Sequence, residues 1–403
     1  MGTVLSYSNP KSNKYPILNM NEQDYTSISP YTDQEAVEAL KRVARNPFLP
    51  VVSKFFFPDE PFNTFRKLLK EIHSIDDFQE IVMSRMVLAA IERSTSGFTF
   101  EGVENISSEK KYLAVSNHRD IILDPALFQY VLFSNKLQMT EICVGSNLLE
   151  SSKVVSDLLR SNRMIKVIRG ISARELYLSS KLLSSYIRER ISSGGSSVWI
   201  AQREGRTKDG LDRTEQGLLK MFDMSGEGSF QENFEALNII PVSISYEYES
   251  CDIRKARELL ISEKEKYVKK RHEDTHSIIS GVKQWKGGVN LFIDKPLTQE
   301  EIAQAAQLGK NDRYQALRQI LDERIIRGYK LWKTNYMAYD LLHEGNKYAD
   351  RYSLEELEEF KAYTEHKLSK VERSRDRDAL RIKFLQIYGN PVVNKETIIG
   401  GKV

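Results

Sequence analysis

At 403 residues, with 40% hydrophobic and 29% charged side chains, the chain can bury a large core, and its composition excludes wholesale disorder and fibrous assembly. A formal net charge of +3 gives no general affinity for nucleic acid, so no nucleic-acid partner is expected. Two cysteines, Cys143 and Cys251, cannot build a disulfide framework or a cysteine-rich zinc site, and no apolar run reaches the roughly 18–20 residues that span a bilayer.

Residues 1–30 are polar, punctuated by Pro10, Pro16 and Pro30, and read as a flexible tail. Gly2 and Ser6 match the M-G-x-x-x-[ST] myristoylation pattern, a short motif that also recurs by accident. Thr32 and Glu35 form a capping box ahead of a helix carrying Val37, Leu40 and Val43 on one face. The segment from Leu49 to Phe57, with Lys54 among aromatics, suits either a membrane-interface anchor or a buried packing segment. Further helices are expected after Pro61 and Asp76, which makes 31–97 a helical N-terminal region.

From Phe98 the pattern changes. Short β-rich runs (FTFEGV, KYLAVS, MIKVIR, SSVWIA, NIIPVSISY, GVNLFID) alternate with helical stretches, the clearest from Ala173 to Ile191 and stopping at Gly194-Gly195. Alternation of this kind predicts an α/β domain over 98–297, a mixed, mostly parallel sheet flanked by helices. Past Pro296 the chain returns to charged amphipathic helix, giving a helical C-terminal extension over 298–403.

The chemistry concentrates in AVSNHRDIILDPALF. An apolar strand ends in Ser116-Asn117-His118, and Asp124-Pro125 has the form of a helix N-cap followed by proline in the first turn. A histidine at the C-terminal end of a strand is where α/β enzymes keep their sites, and a nearby carboxylate would fix its tautomer. HRD also resembles the protein-kinase catalytic loop, but the position of the kinase asparagine is Pro125, and no Gly-rich phosphate loop or D-F-G accompanies it. A second cluster, IAQREGRTKDGLDR, follows another strand and gathers Arg203, Glu204, Gly205, Arg206, Lys208 and Arg213. Arginine forks bind phosphate in bidentate fashion, and Gly205 allows close backbone approach. A parallel sheet would bring the two strand ends to one edge.

Asn117-His118 with a following aspartate, Arg169 in MIKVIRG, Glu204-Gly205-Arg206 and Ile240-Pro241-Val242, in that order, resemble the four blocks of the glycerol-3-phosphate and 1-acylglycerol-3-phosphate acyltransferases. The resemblance covers about Phe98 to Tyr246 and neither terminal region. It implies an O-acyltransferase of phospholipid biosynthesis that takes a fatty acyl group from acyl-carrier protein or acyl-CoA, with no bound cofactor or metal. His118 would be the general base, oriented by an acidic partner. Asn117, Arg119, Arg169, Arg203, Glu204, Gly205, Arg206 and Lys208 would bind the phosphorylated acceptor, and Pro241 would shape the strand beneath the acyl channel. Backbone N–H groups near the helix start would face the oxyanion.

Two departures bear on these roles. The family pattern His-x4-Asp falls on Leu123, so the acid is Asp124, favoured by its Asp-Pro context, or alternatively Asp120. The threonine usual between glycine and arginine is missing from EGR, which leaves O-acylation of a non-phosphorylated lipid, such as an N-acyl amino acid, as an alternative, beside a non-catalytic lipid-binding member of the fold. A lipid acceptor and the basic run KEKYVKKRH (264–272) suggest a cytoplasmic protein peripheral on the inner membrane face. The remaining histidines show no metal-ligand spacing.

Overall fold

The computed structural model describes residues 24–47, 49–57, 60–169, 172–269, 273–372 and 375–399. Gly2, Ser6 and His272 lie outside them, as does the end of the basic run. Seven strands form one sheet in the order β1-β7-β6-β2-β5-β3-β4. They are β1 (Gly97–Glu101), β2 (Leu113–Ser116), β3 (Glu141–Gly145), β4 (Met164–Val167), β5 (Val198–Ala201), β6 (Ile239–Tyr246) and β7 (Gly288–Ile293). β6, β2, β5, β3 and β4 run parallel, β7 is antiparallel to β6, and β1 is parallel to β7. The sheet is therefore mixed and mostly parallel, as the alternating pattern predicts.

Side chains of successive strand residues point to opposite faces, and both faces are covered. Leu113, Val115, Val198, Ile200 and Ile239 meet the helices Ala173–Ser192, Gln216–Asp223 and Asp312–Gly328. Ala114, Ile142, Met164, Trp199 and Ile240 meet the helices Ser84–Ser94 and Leu123–Ser134. The helices between Asp33 and Ser94 share a separate apolar cluster around Leu40, Phe65 and Val82. The C-terminal helices share another around Phe360, Phe384 and Tyr388. The Thr32–Glu35 capping box is present and starts the helix Asp33–Ala44.

Several expectations change. Residues 24–30 are not part of a tail: Ile28 is buried, its carbonyl accepts from Lys166 N at 2.8 Å, and Tyr25 stacks edge-on against Tyr186. The segment Leu49–Phe56 is a helix whose ends pack inward, with Leu49 and Phe57 buried and Lys54 exposed. Strand β3 is not among the runs read from sequence, because it opens on a charged residue and closes on glycine. Its Glu141 is buried and held by Arg190 Nε at 2.8 Å and by the Tyr186 hydroxyl at 2.7 Å. Residues 264–269 of the basic run lie beyond the helix Asp252–Ser262 and are not helical.

Candidate active site

The parallel strands β2, β5, β3 and β4 end at one edge of the sheet, and the segments that leave them form a cleft of about 130 Å³. β2 delivers His118, β5 delivers Arg203, Gly205, Arg206 and Lys208, β3 delivers Gly145 and Asn147, and β4 delivers Arg169. Ile121, Ile122, Pro125, Ile142, Leu148, Met164 and Trp199 add an apolar wall. Polar groups thus sit at the strand ends and apolar ones along the strands and the following helix.

His118 is 14% exposed at its side chain, and its Nδ1 lies 2.8 Å from Asp124 Oδ2. The same oxygen accepts from the backbone N–H of Arg119 (2.5 Å) and of Asp120 (2.9 Å), while Oδ1 accepts from the Tyr246 hydroxyl at 2.7 Å. Asp120 has a different occupation: its Oδ1 accepts from Ile122 N and Leu123 N, and its Oδ2 from the Ser250 hydroxyl. The N-cap position of the helix Leu123–Ser134 is therefore Ile122 and not, as the Asp-Pro pair suggested, Asp124, and it is Asp120 that meets the first helical N–H. Freed from capping, Asp124 turns back onto the histidine. The one-residue excess over His-x4-Asp is taken up in the turn between Asp120 and Leu123, where no regular helix constrains the spacing.

Asn117 and Arg119, expected at the ligand, are interior residues and do not line the cleft. Asn117 Oδ1 accepts from Ile244 N at 2.8 Å, and its Nδ2 donates to Ile244 O at 3.0 Å and to Asp212 at 3.1 Å, so its amide continues the ladder to β6. The Arg119 guanidinium is wholly buried, donating to Asp212 at 2.6 Å and Glu249 at 2.8 Å with Tyr329 stacked beneath it. Burial alone would lower its pKa, but the carboxylates of Asp212 and Glu249 hold it well above the ordinary value. Lys255 completes the cluster through Glu249 and the Arg119 carbonyl. A desolvated charge is tolerated only when so paired, and a phosphate has no access to it. Pro241 sits in β6 opposite Val115 and does not line the cleft either.

The same cluster locks the loop after β5 onto the loop after β2. Gln202 N donates to Ser116 O, Thr207 N to His118 O at 2.7 Å, and the Thr207 hydroxyl to Asp212 at 2.8 Å. Arg206 and Lys208 flank Thr207 and so reach the cleft beside His118. Gly205 has φ +72° with open space where a Cβ would sit, a left-handed conformation that favours glycine. Arg169 lies over Gly145 and approaches Glu204 at 3.7 Å, so that exposed glutamate meets a cation of the same cleft. Lys208 pairs with Glu258, and Lys269 with Asp274 at 2.7 Å. By contrast, Arg206 Nη1 and Arg203 Nε are buried and bond nothing among the described residues. Trp199, expected as a core or groove residue, lines the cleft, while Asp212 and Tyr246 were not singled out from sequence, because nothing local marks a residue whose partner lies about 100 positions away.

Cys143 also lines the cleft, but burial, reinforced by the charge of Glu141, pushes its thiol pKa up and keeps it protonated. Among the described residues no cluster of His, Cys, Asp and Glu is placed to hold a metal ion. The arrangement offers one oriented histidine, an apolar wall and a cationic rim, a set suited to proton transfer beside a bound anion.

Residues 97–245 match the family model described as Acyltransferase. The chain carries an acyltransferase domain. This domain takes in β1 to β6 and every site residue predicted from sequence, while β7 and the helical flanks lie outside the match. A similar solved structure is that of the 1-acyl-sn-glycerophosphate (LPA) acyltransferase, PlsC, from Thermotoga maritima. It is 13% identical, spans 73% of this chain and 94% of that one, and superposes with a TM-score of 0.40. No curated protein matches the chain.

Proposed function

We propose that this acyltransferase moves a fatty acyl group from acyl-CoA or acyl-carrier protein onto a hydroxyl of a glycerophosphate-type acceptor, glycerol 3-phosphate or lysophosphatidate, in phospholipid synthesis. The observation that carries the reading is the His118–Asp124 pair at the rim of a cleft with an apolar wall and five cations, two of which keep buried N–H groups without partners among the described residues. A phosphate supplies the acceptor oxygens those groups lack.

Asp124 holds Nδ1, which leaves Nε2 of His118 to take the proton of the acceptor hydroxyl as its oxygen attacks the thioester carbonyl. The tetrahedral intermediate then collapses with cleavage of the carbon–sulfur bond. The imidazolium returns its proton to the departing thiolate, giving an ester and a free thiol. No acyl-enzyme is needed, since the nucleophile belongs to the substrate. The wall of Ile121, Ile122, Ile142 and Met164 suits the acyl chain.

Steady-state kinetics with phosphorylated and non-phosphorylated acceptors test the headgroup. Arg206→Ala should raise the KM for the phosphorylated acceptor by about tenfold or more, as expected for losing a charge-assisted hydrogen bond. An unchanged KM, with turnover of an N-acyl amino acid by the wild type, would transfer the site to a non-phosphorylated lipid.

A further inference from the structure

The helix Ala173–Ser192 follows β4 and so starts at the cleft edge of the sheet. Its contact with the sheet begins only at Leu182 and continues through Leu183, Tyr186 and Ile187. The nine residues before Leu182 therefore project some ~13 Å beyond that contact at 1.5 Å per residue. Every residue from Ser172 to Leu178 is exposed. Three of them are large and apolar: Leu176 (49%), Tyr177 (57%) and Leu178 (50%). A water-facing helix end has no use for such a run, about half of whose surface stays open to solvent.

The surrounding charge is cationic on balance, with Glu204 beside Arg169 and the exposed Glu265 as counter-charges. Arg174 and Lys181 lie on the same helix and Arg169 lines the cleft ahead of it. The intervening acid, Glu175, is turned back onto Ser172 in a capping box. In the segment that follows the helix Asp252–Ser262, Val268 stands 76% exposed among exposed Lys264, Glu265, Lys266 and Lys269, and Lys269, paired with Asp274, lines the cleft. An apolar centre with an interfacial tyrosine and a cationic rim complements an anionic lipid surface. Resting on the proposed lipid acceptor, we infer that the projecting turns Ala173–Lys181 seat the protein on an anionic bilayer, with the segment around Val268 as a further contact, and set the cleft mouth against the leaflet that supplies the acceptor. An acidic carrier protein would also meet the cations, but it offers no bilayer for Leu176, Tyr177 and Leu178 to enter.

The test is sedimentation with phosphatidylcholine vesicles prepared with and without phosphatidylglycerol, using the full-length wild type, L176Q/L178Q and His118→Ala. Wild type and His118→Ala should partition onto the anionic vesicles alike, and L176Q/L178Q at least tenfold less, while its helical circular dichroism and its thiol release with a water-soluble acceptor stay at wild-type level. The inference is overturned by three results: wild type that stays in the supernatant, a double variant that sediments as well as wild type, or a double variant whose only loss is in the use of acyl-carrier protein. A chain lacking residues 1–23 that no longer binds, while L176Q/L178Q binds fully, would move the contact to the N-terminus and overturn it too. Because binding is read without turnover, a failed acyltransferase assay leaves this result standing, and a failed binding assay leaves the chemistry standing.

Discussion

Asp124 gathers four donors on one carboxylate: the His118 ring, two backbone N–H groups and the Tyr246 hydroxyl. Such a group is fixed in place and in turn fixes the tautomer and tilt of the imidazole. Asp124→Asn removes the acceptor for the Nδ1 proton while keeping the shape, so kcat should fall by about 10²–10⁴. The acceptor KM should stay near its original value, and equal damage to both would instead mark Asp124 as a structural residue. The chemistry of this stretch is legible in sequence because histidine, aspartate and proline lie within eight positions. The choice between Asp120 and Asp124 is not, since it depends on which of two buried carboxylates meets the first N–H groups of the helix. Asn117 and Arg119 were read as ligand contacts for a similar reason. A buried arginine is indistinguishable from a functional one until Asp212 and Glu249 are seen to face it.

At the scale of elements, the loop that carries Arg206 and Lys208 is held from both sides. The loop after β2 grips it through Thr207 and Asp212, and the C-terminal helix Arg377–Ile399 braces its far turn. Asn390 Nδ2 donates to Asp209 O at 2.6 Å and Asn394 Nδ2 to Gly210 O at 3.3 Å. Gly210 has φ +80°, and a Cβ there would lie 2.5 Å from the Ile387 carbonyl. Gly210→Ala should therefore cost roughly 1–3 kcal/mol in a denaturant melt and raise the acceptor KM by shifting Arg206. A variant with wild-type stability and KM would remove the brace from the account. The six β-rich runs place six of the seven strands, but the antiparallel β6–β7 pairing depends on contacts between distant segments. β3 escapes notice because a charged residue opens it, satisfied only by Tyr186 and Arg190 on a helix some 45 positions later.

Across the whole molecule, the acyltransferase domain fills the centre and the helical regions on either side serve it differently. The N-terminal helices pack around a core of their own, tied to the domain by Arg42 and Tyr31 on Asp157. The C-terminal helices reach the catalytic loop and the buried charges beneath it, with Tyr388 donating to Asp252 and accepting from Glu249 N. Among the described residues no helix is long and apolar enough to cross a membrane. The sequence patterns that announce strands and helices say little about these links, because each joins segments far apart in the chain through a few polar contacts. The central claim, proton transfer by His118 during acyl transfer, is tested most directly by acceptor-dependent thiol release from acyl-CoA and acyl-carrier protein by wild type and His118→Ala. Release by the wild type with glycerol 3-phosphate or lysophosphatidate, reduced by about 10²–10⁴ in a folded His118→Ala variant, is the predicted result. Equal release by both proteins, or none from folded wild type with any donor and acceptor, would contradict it.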